Sequence, residues 1–147
     1  MADRELRLLQ VELPFVVKTY DVDYARIVHN AVYIRWLEDL RLQIMKEHFP
    51  LEDQLSDHQS PVLAKTEITY HRPLRLFDQA IGRMWVSKLG KARWEVRAEI
   101  CRGEMVAASA RQTGYFMDIE HYRPIRIPAA LRDKWEAALA AGEHAGL

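Results

Sequence analysis

The chain has 147 residues and a mass of 17.2 kDa, which is the size of one ordinary domain. Lysine plus arginine and aspartate plus glutamate number 21 each, so the formal net charge is zero and the basic excess of a general nucleic-acid binder is excluded. No run approaches the ~18 apolar residues of a membrane span, and the charged run 1–5 predicts no signal peptide. With one cysteine, Cys101, no intrachain disulfide is available, so we expect a cytoplasmic protein.

The first predicted elements are a strand and a long helix. The strand covers residues 11–20, where Pro14 indicates an edge strand or a bulge because proline cannot donate to a ladder. The helix covers residues 27–48 and ends before Pro50. Its broad apolar face is predicted to comprise Ile27, Ala31, Ile34, Leu37, Ile44 and Met45, with Val28, Val32 and Trp36 on the flank. A helix that is apolar over most of its surface is usually enclosed by other elements.

Four strands are predicted after the helix. Polar residues 51–60 predict a loop, and the strands cover residues 62–70, 79–89, 93–102 and 105–118. In the third of them, Trp94, Val96, Ala98 and Ile100 alternate with charged residues, which is the period of a strand buried on one face. Gly90 and Gly103 indicate hairpins. A short alanine-rich helix is predicted at about 129–141.

This order of elements predicts an α+β fold in which a curved antiparallel sheet wraps round one long central helix. No linker or repeat interrupts the sequence, so we expect a single domain over residues 1–147, with its core at about 11–128. The charged face of the third strand would then point away from the helix.

Several kinds of catalytic site are excluded by their missing motifs. The sequence has no G-x-S-x-G and no glycine-rich nucleotide loop. The six histidines lack metal-ligand spacing, so we expect no metal site. Cys101 has no neighbouring histidine, and a packed thiol is the expectation for it.

The junction before the long helix is the remaining candidate site. Asp21 and Asp23 precede a helix start, where unpaired backbone N–H groups carry partial positive charge. Such amides polarise a carbonyl while a carboxylate attacks it or activates water. The alternative is that an aspartate only caps the helix. Further along, Glu38 and Arg41 project within the apolar arc, and they either brace the helix as an ion pair or face a site.

These residues carry a family resemblance. Residues 20–23 and 29–33, continued by Trp36, Glu38 and Arg41, resemble the signature of the hotdog-fold acyl-CoA thioesterases, in the 4-hydroxybenzoyl-CoA thioesterase-like branch. Residues 65–74 and 87–91 resemble that family's second strand and the following hairpin. The resemblance implies the hotdog fold and hydrolysis of acyl-CoA to a free acid and coenzyme A without a metal or redox cofactor. It also implies homodimers with sheets joined edge to edge, paired further into homotetramers, with active sites at the dimer interface.

The resemblance also implies roles for individual residues. Asp23 matches the catalytic carboxylate, as nucleophile or general base, and Asn30 matches the position whose backbone N–H polarises the thioester carbonyl. His29 is a candidate for hydrogen bonding to substrate or water, with capping of the helix start as its alternative. Glu38 is the rival carboxylate. The substrate-binding candidates are Tyr33, Arg72, Lys88, Gly90, Lys91 and Arg93, of which the cations suit the phosphates of coenzyme A.

The turn into the helix and the function of the protein both stay open at this point. Arg26 stands where the family usually has glycine, and arginine is disfavoured at positive φ, so either the turn into the helix differs from the family's or the alignment is shifted by one residue. A hotdog protein that binds acyl-CoA or acyl-carrier protein without turnover is one alternative function. A hotdog enoyl-thioester hydratase or dehydratase is the other.

Overall fold

The computed structural model describes residues 6–144, so the signal-peptide prediction for residues 1–5 and the two ends of the predicted domain lie outside the described residues. A 3₁₀ turn covers Thr19–Asp21. The other elements, in chain order, are β1 (Leu8–Val16), α1 (Asn30–His48), α2 (Leu51–Ser56), β2 (Gln59–Tyr70), β3 (Gln79–Leu89), β4 (Arg93–Arg102), β5 (Met105–Asp118), β6 (Arg123–Ile125) and α3 (Ala129–His144).

The strands form one antiparallel sheet in the order β1-β3-β4-β5-β2, with β6 paired to β5. The edge position of β1 explains Pro14, and a register shift lies between Leu8 and Val11. The helix α1 packs against β1 and β3, inside the curve of the sheet. The predicted α+β hotdog arrangement is therefore confirmed. Within the described residues, no helix is both long and apolar enough to cross a bilayer.

The long helix differs from its prediction in both its start and its face. It begins at Asn30, because Ile27 and Val28 are held outside it by bridges to Arg75 and Val22. The predicted face was wrong in placing Ile34 inward, since this side chain is 43% exposed. The buried residues of the helix are Val32, Tyr33, Trp36, Leu37, Leu40 and Ile44.

The segment predicted as a loop contains the helix α2. Its Gln54 is 1% exposed and donates from Nε2 to the Phe49 carbonyl at 2.6 Å, which ties the helix to the end of α1. Other bounds were also wrong, because β1 covers Leu8–Val16 and not residues 11–20, and β2 begins at Gln59 and not at residue 62. The short β6 was not predicted.

The strand β4 shows the predicted alternation on its inner face. Trp94, Val96, Ala98 and Ile100 are all buried. Its outer face is less open than predicted, because Glu95 is only 7% exposed and accepts a hydrogen bond from Ser87 Oγ at 2.7 Å. The Cys101 thiol is buried, as predicted, and burial raises its pKa.

Candidate active site

A tight turn between the first strand and α1 positions Asp23. Val22 and Val28 form a bridge at its base, and the Asp23 amide donates to the Ile27 carbonyl at 3.1 Å. The Arg26 amide donates to the Asp23 carbonyl at 2.9 Å, and Arg26 itself adopts φ 63°. Arg26 therefore adopts the positive φ that was expected to be unfavourable for arginine. The surrounding hydrogen bonds hold Arg26 in a left-handed conformation that costs of order 1–3 kcal/mol.

The Asp23 carboxylate is a turn former with one free oxygen. Its Oδ1 accepts from the Ala25 amide at 2.8 Å and, more weakly, from the Ile27 amide at 3.5 Å. Within residues 6–144, Oδ2 has no hydrogen-bond partner. Neither aspartate caps α1, because the N-cap residue is His29 and the Asp21 carboxylate accepts from the Lys18 amide at 2.9 Å. The capping alternative therefore does not account for Asp23.

The start of α1 presents exposed backbone donors. The His29 amide is used by the Asp21 carbonyl at 3.0 Å, and the Val32 amide donates to the His29 carbonyl at 3.0 Å. Between them, the amides of Asn30 and Ala31 find no acceptor in the described part of the chain, and both residues are exposed. Their positive partial charge suits a developing oxyanion. His29 makes no side-chain cap bond, so its imidazole is available to solvent.

Tyr33 lies in the core of the protomer. It is 3% exposed, and its ring packs edge-on against Trp36 at 5.4 Å and Tyr70 at 5.2 Å between centroids. Burial raises the pKa of its phenol, against a lowering by a hydrogen bond with the Leu74 backbone. Within this protomer, Tyr33 therefore has almost no exposed surface with which to make the predicted contact with substrate.

The predicted basic residues separate into two groups. Arg72 follows the Tyr70 end of β2, the end at which the Tyr70 hydroxyl donates to the Asn30 carbonyl at 3.4 Å. Tyr70 is level with Ala108 and Ile100 across the sheet. Arg93 lies seven residues from Ile100 along β4, about 23 Å at 3.3 Å per residue. The β3–β4 hairpin, with Lys88, Gly90, Lys91 and Arg93, is thus at the opposite end from Asp23 within one protomer.

A cavity of about 290 Å³ opens between the second half of α1, α2 and the inner face of the sheet. Glu38 is exposed and lies at its wall, in agreement with the alternative that this side chain faces a site. Arg41 donates from Nη1 to Gln112 Oε1 at 2.6 Å instead of pairing with Glu38. Gln112 in turn donates from Nε2 to Thr66 Oγ1 at 3.0 Å.

Burial lowers the pKa of the Arg41 guanidinium, while nearby Glu38 acts in the opposite direction. Sequence reasoning missed Gln54, which lines the cavity, and Gln112, which accepts from Arg41. Gln112 stands 71 positions from Arg41, and no local pattern signals a contact over that separation.

One cluster of metal-ligand side chains occurs at the β5–β6 turn. Ligand atoms of Asp118, Glu120 and His121 lie within 4.8 Å of one another. The Asp118 carboxylate accepts from the Glu120 amide at 2.9 Å and the His121 amide at 3.2 Å, and its Oδ2 lies 3.0 Å from the His121 ring. These bonds lower the pKa of Asp118, the His121 side chain most of all. The contacts of Asp118 with Glu120 and His121 form a hydrogen-bonded turn.

Comparison with a family model identifies the family of this chain. A sequence profile of the Thioesterase-like superfamily matches residues 17–135, which include the Asp23 turn, all of α1 and the cavity. The chain belongs to the thioesterase-like superfamily.

Solved structures of other proteins share the fold of this thioesterase-like chain. The probable thioesterase YbaW from Escherichia coli superposes with a TM-score of 0.77 at 22% identity, over 86% of this chain and 97% of that one. The gentisyl-coenzyme A thioesterase BH1999 gives 0.77 at 19% identity, over 85% and 99%. The protein SAV2348 from Staphylococcus aureus, solved in complex with CoA, gives 0.82 at 13% identity, over 90% and 85%.

Proposed function

We propose that this protein is an acyl-CoA thioesterase of the 4-hydroxybenzoyl-CoA thioesterase-like branch, which hydrolyses a thioester to a carboxylic acid and coenzyme A. The observation that carries the proposal is that the segment 23–31 contains both an Asp23 carboxylate oxygen and the amides of Asn30 and Ala31, none of which has a hydrogen-bond partner among the described residues. Membership of the thioesterase-like superfamily supports it. The buried, unpaired Cys101 suits action in the cytoplasm.

The chemistry needs only these groups. The Asn30 amide donates to the thioester carbonyl oxygen and stabilises the negative charge that develops there. Asp23 Oδ2 either attacks the carbonyl carbon, so that the C–S bond breaks and water then hydrolyses the acyl–aspartyl anhydride, or it takes a proton from a water that attacks the carbon, and the C–S bond then breaks. The coenzyme A sulfur leaves and gains a proton, so the sum is one water consumed per thioester. This route uses no metal or redox cofactor, and in it His29 hydrogen-bonds the substrate or the water.

Glu38 remains the rival carboxylate in this proposal. It is exposed at the wall of the cavity, where a thioester entering the cavity would pass it. Asp23 is favoured because only residues 24–29 separate it from the helix-start amides, whereas Glu38 sits two turns further along α1.

The proposed working unit is a homodimer joined through β2, paired further into a homotetramer. β2 is an edge strand of 12 residues whose middle, residues 63–65, is exposed. Two copies paired about a two-fold axis run antiparallel, so the Tyr70 end of one β2 lies beside the Gln59 end of the other. This pairing also brings the partner's β3–β4 hairpin to the end where Arg72 lies, so that both basic groups can serve one coenzyme A.

A panel of acyl-CoA thioesters with a thiol-trapping reagent tests the function. We expect saturable release of free coenzyme A thiol in stoichiometry with the carboxylic acid. Saturable binding without thiol release would contradict the proposal and favour a binding protein. A hydroxyacyl product from an enoyl thioester would contradict it in favour of a hydratase. Light scattering during gel filtration tests the assembly, and a monomer at working concentration would overturn the shared site.

A further inference from the structure

The cavity beside α1 combines apolar walls with two polar groups that lack full partners among residues 6–144. Its volume of about 290 Å³ is close to the lower end of small-ligand pockets, ~300–1,000 Å³. Most of its lining is aliphatic or aromatic, including Leu42, Met45, Phe49, Leu63, Trp94 and Phe116. Such walls favour an apolar guest.

Arg41 brings a cation into this cavity. One of its five N–H groups meets buried Gln112, which faces inward because its cross-strand partner Val96 belongs to the inner face of the sheet. The guanidinium therefore donates to a neutral acceptor at the floor of the cavity, and burial lowers its pKa because burial disfavours the charged form. A partly desolvated guanidinium with unused donors is stabilised by an oxygen acceptor on a guest.

Gln54 supplies the second polar group. Its side chain is 1% exposed, and its Nε2 is committed to the Phe49 carbonyl. Its Oε1 is buried without a partner among the described residues, and the residue lines the cavity. An unsatisfied buried acceptor costs roughly 1–3 kcal/mol, so a donor on a guest would recover that energy.

We propose that this cavity holds the acyl group of the thioester and selects an aliphatic acyl group that carries an oxygen function at its far end. The apolar body packs on the walls, and the distal oxygen accepts from Arg41. A distal hydroxyl also donates to Gln54, whereas a distal carboxylate compensates the charge of Arg41. The inference rests on the proposed thioesterase function and adds the substrate class to it.

The position of Arg41 places it at the far end of the acyl group. In one protomer it follows Asn30 by eleven residues, about 16 Å along the helix at 1.5 Å per residue. The space beside Tyr33 and Leu37 is too narrow to admit a water molecule. The acyl group therefore enters at the exposed side chains Leu42 and Leu63, next to the β2 edge where the proposed dimer brings the partner's helix start.

Matched eight-carbon substrates test the selection. We expect wild-type kcat/KM to be higher for 8-hydroxyoctanoyl-CoA, the octanedioic half-thioester, or both, than for octanoyl-CoA. Arg41→Met should lower kcat/KM for the favoured oxygenated substrate by about 10- to 100-fold while octanoyl-CoA turnover changes little. Arg35→Met, on the exposed side of the same helix, should change none of them. Preference for the hydroxyl or for the carboxylate identifies the distal group.

Further arms separate failure of this inference from failure of the proposed function. Two results would overturn the selection while hydrolysis stands. One is a wild-type kcat/KM for the oxygenated substrates that equals the value for octanoyl-CoA. The other is an equal loss of kcat/KM on all three substrates in Arg41→Met with an unchanged melting temperature. If no substrate is hydrolysed, calorimetry with the free acids tests the cavity alone. Tighter binding of 8-hydroxyoctanoate or octanedioate than octanoate, weakened in Arg41→Met, supports the inference, and equal binding overturns it. Met45→Trp, which fills the cavity, should weaken all three acids.

Discussion

Gly114 in β5 leaves room for a tryptophan ring at the floor of the cavity. Gly114 pairs with Trp94 on one side and with Leu63 on the other. A Cβ added there would overlap the Val62 carbonyl oxygen and lie 2.6 Å from Trp94 Cε2. The Trp94 ring is anchored by a 3.0 Å bond from Nε1 to the Tyr115 carbonyl, so it does not move away freely.

Gly114→Ala should therefore destabilise the protein by about 3 kcal/mol, the upper part of the range for overpacked cores. For a chain of this length, each kcal/mol lowers the melting temperature by roughly 2–4 °C, which gives a fall of about 6–12 °C. Calorimetry at one fixed protein concentration measures the change. Gly90→Ala is the control, because its Cβ would meet only the Arg93 carbonyl at an ordinary 3.5 Å. Equal melting temperatures for Gly114→Ala and wild type would refute the packing described for the cavity floor.

Two further predictions concern α1. Leu40 is fully buried, so Leu40→Ala should cost about 3–4 kcal/mol in urea unfolding, whereas Ile34→Ala, at an exposed site, should cost about 1 kcal/mol or less. Similar losses would contradict the observed helix face. Burial holds the pKa of His48 below its usual value, so the unfolded chain binds more protons there and stability falls as pH drops below about 6.5. His48→Gln should show a smaller fall in melting temperature than wild type from about pH 7.5 to 5.5. A fall as large as that of wild type would contradict the role of His48 in this pH dependence.

The parts of the fold that follow from local patterns were predictable. The alternation around Val96 predicts β4, and the glycines at 90 and 103 predict its hairpins, because a strand buried on one face has a period of two. The helix start was misplaced at Ile27 because apolar periodicity does not distinguish a helical residue from one bridged to Arg75. The helix α2 was missed because its polar sequence hides the one buried residue, Gln54.

The candidate site was predictable only in its local half. Asp23 and the helix-start amide of Asn30 lie close in sequence, and the motif predicts them together. Arg41 was identified as unusual, and Glu38 was one expected partner because three-residue spacing on a helix suggests it. The observed partner, Gln112, comes from a strand that only the folded sheet brings near. The basic residues at 72 and 88–93 likewise separate in the monomer, and only the proposed dimer brings them together.

The most direct test of the central claim is thioester turnover by Asp23→Asn. Asparagine keeps an oxygen that accepts from the Ala25 amide, so the turn and the melting temperature should be retained. Loss of the carboxylate should lower kcat by about 10²–10⁴-fold or more, while Asp39→Asn, an exposed carboxylate on α1, stays at the wild-type rate. Near-normal kcat for Asp23→Asn would contradict the proposed mechanism and direct attention to Glu38.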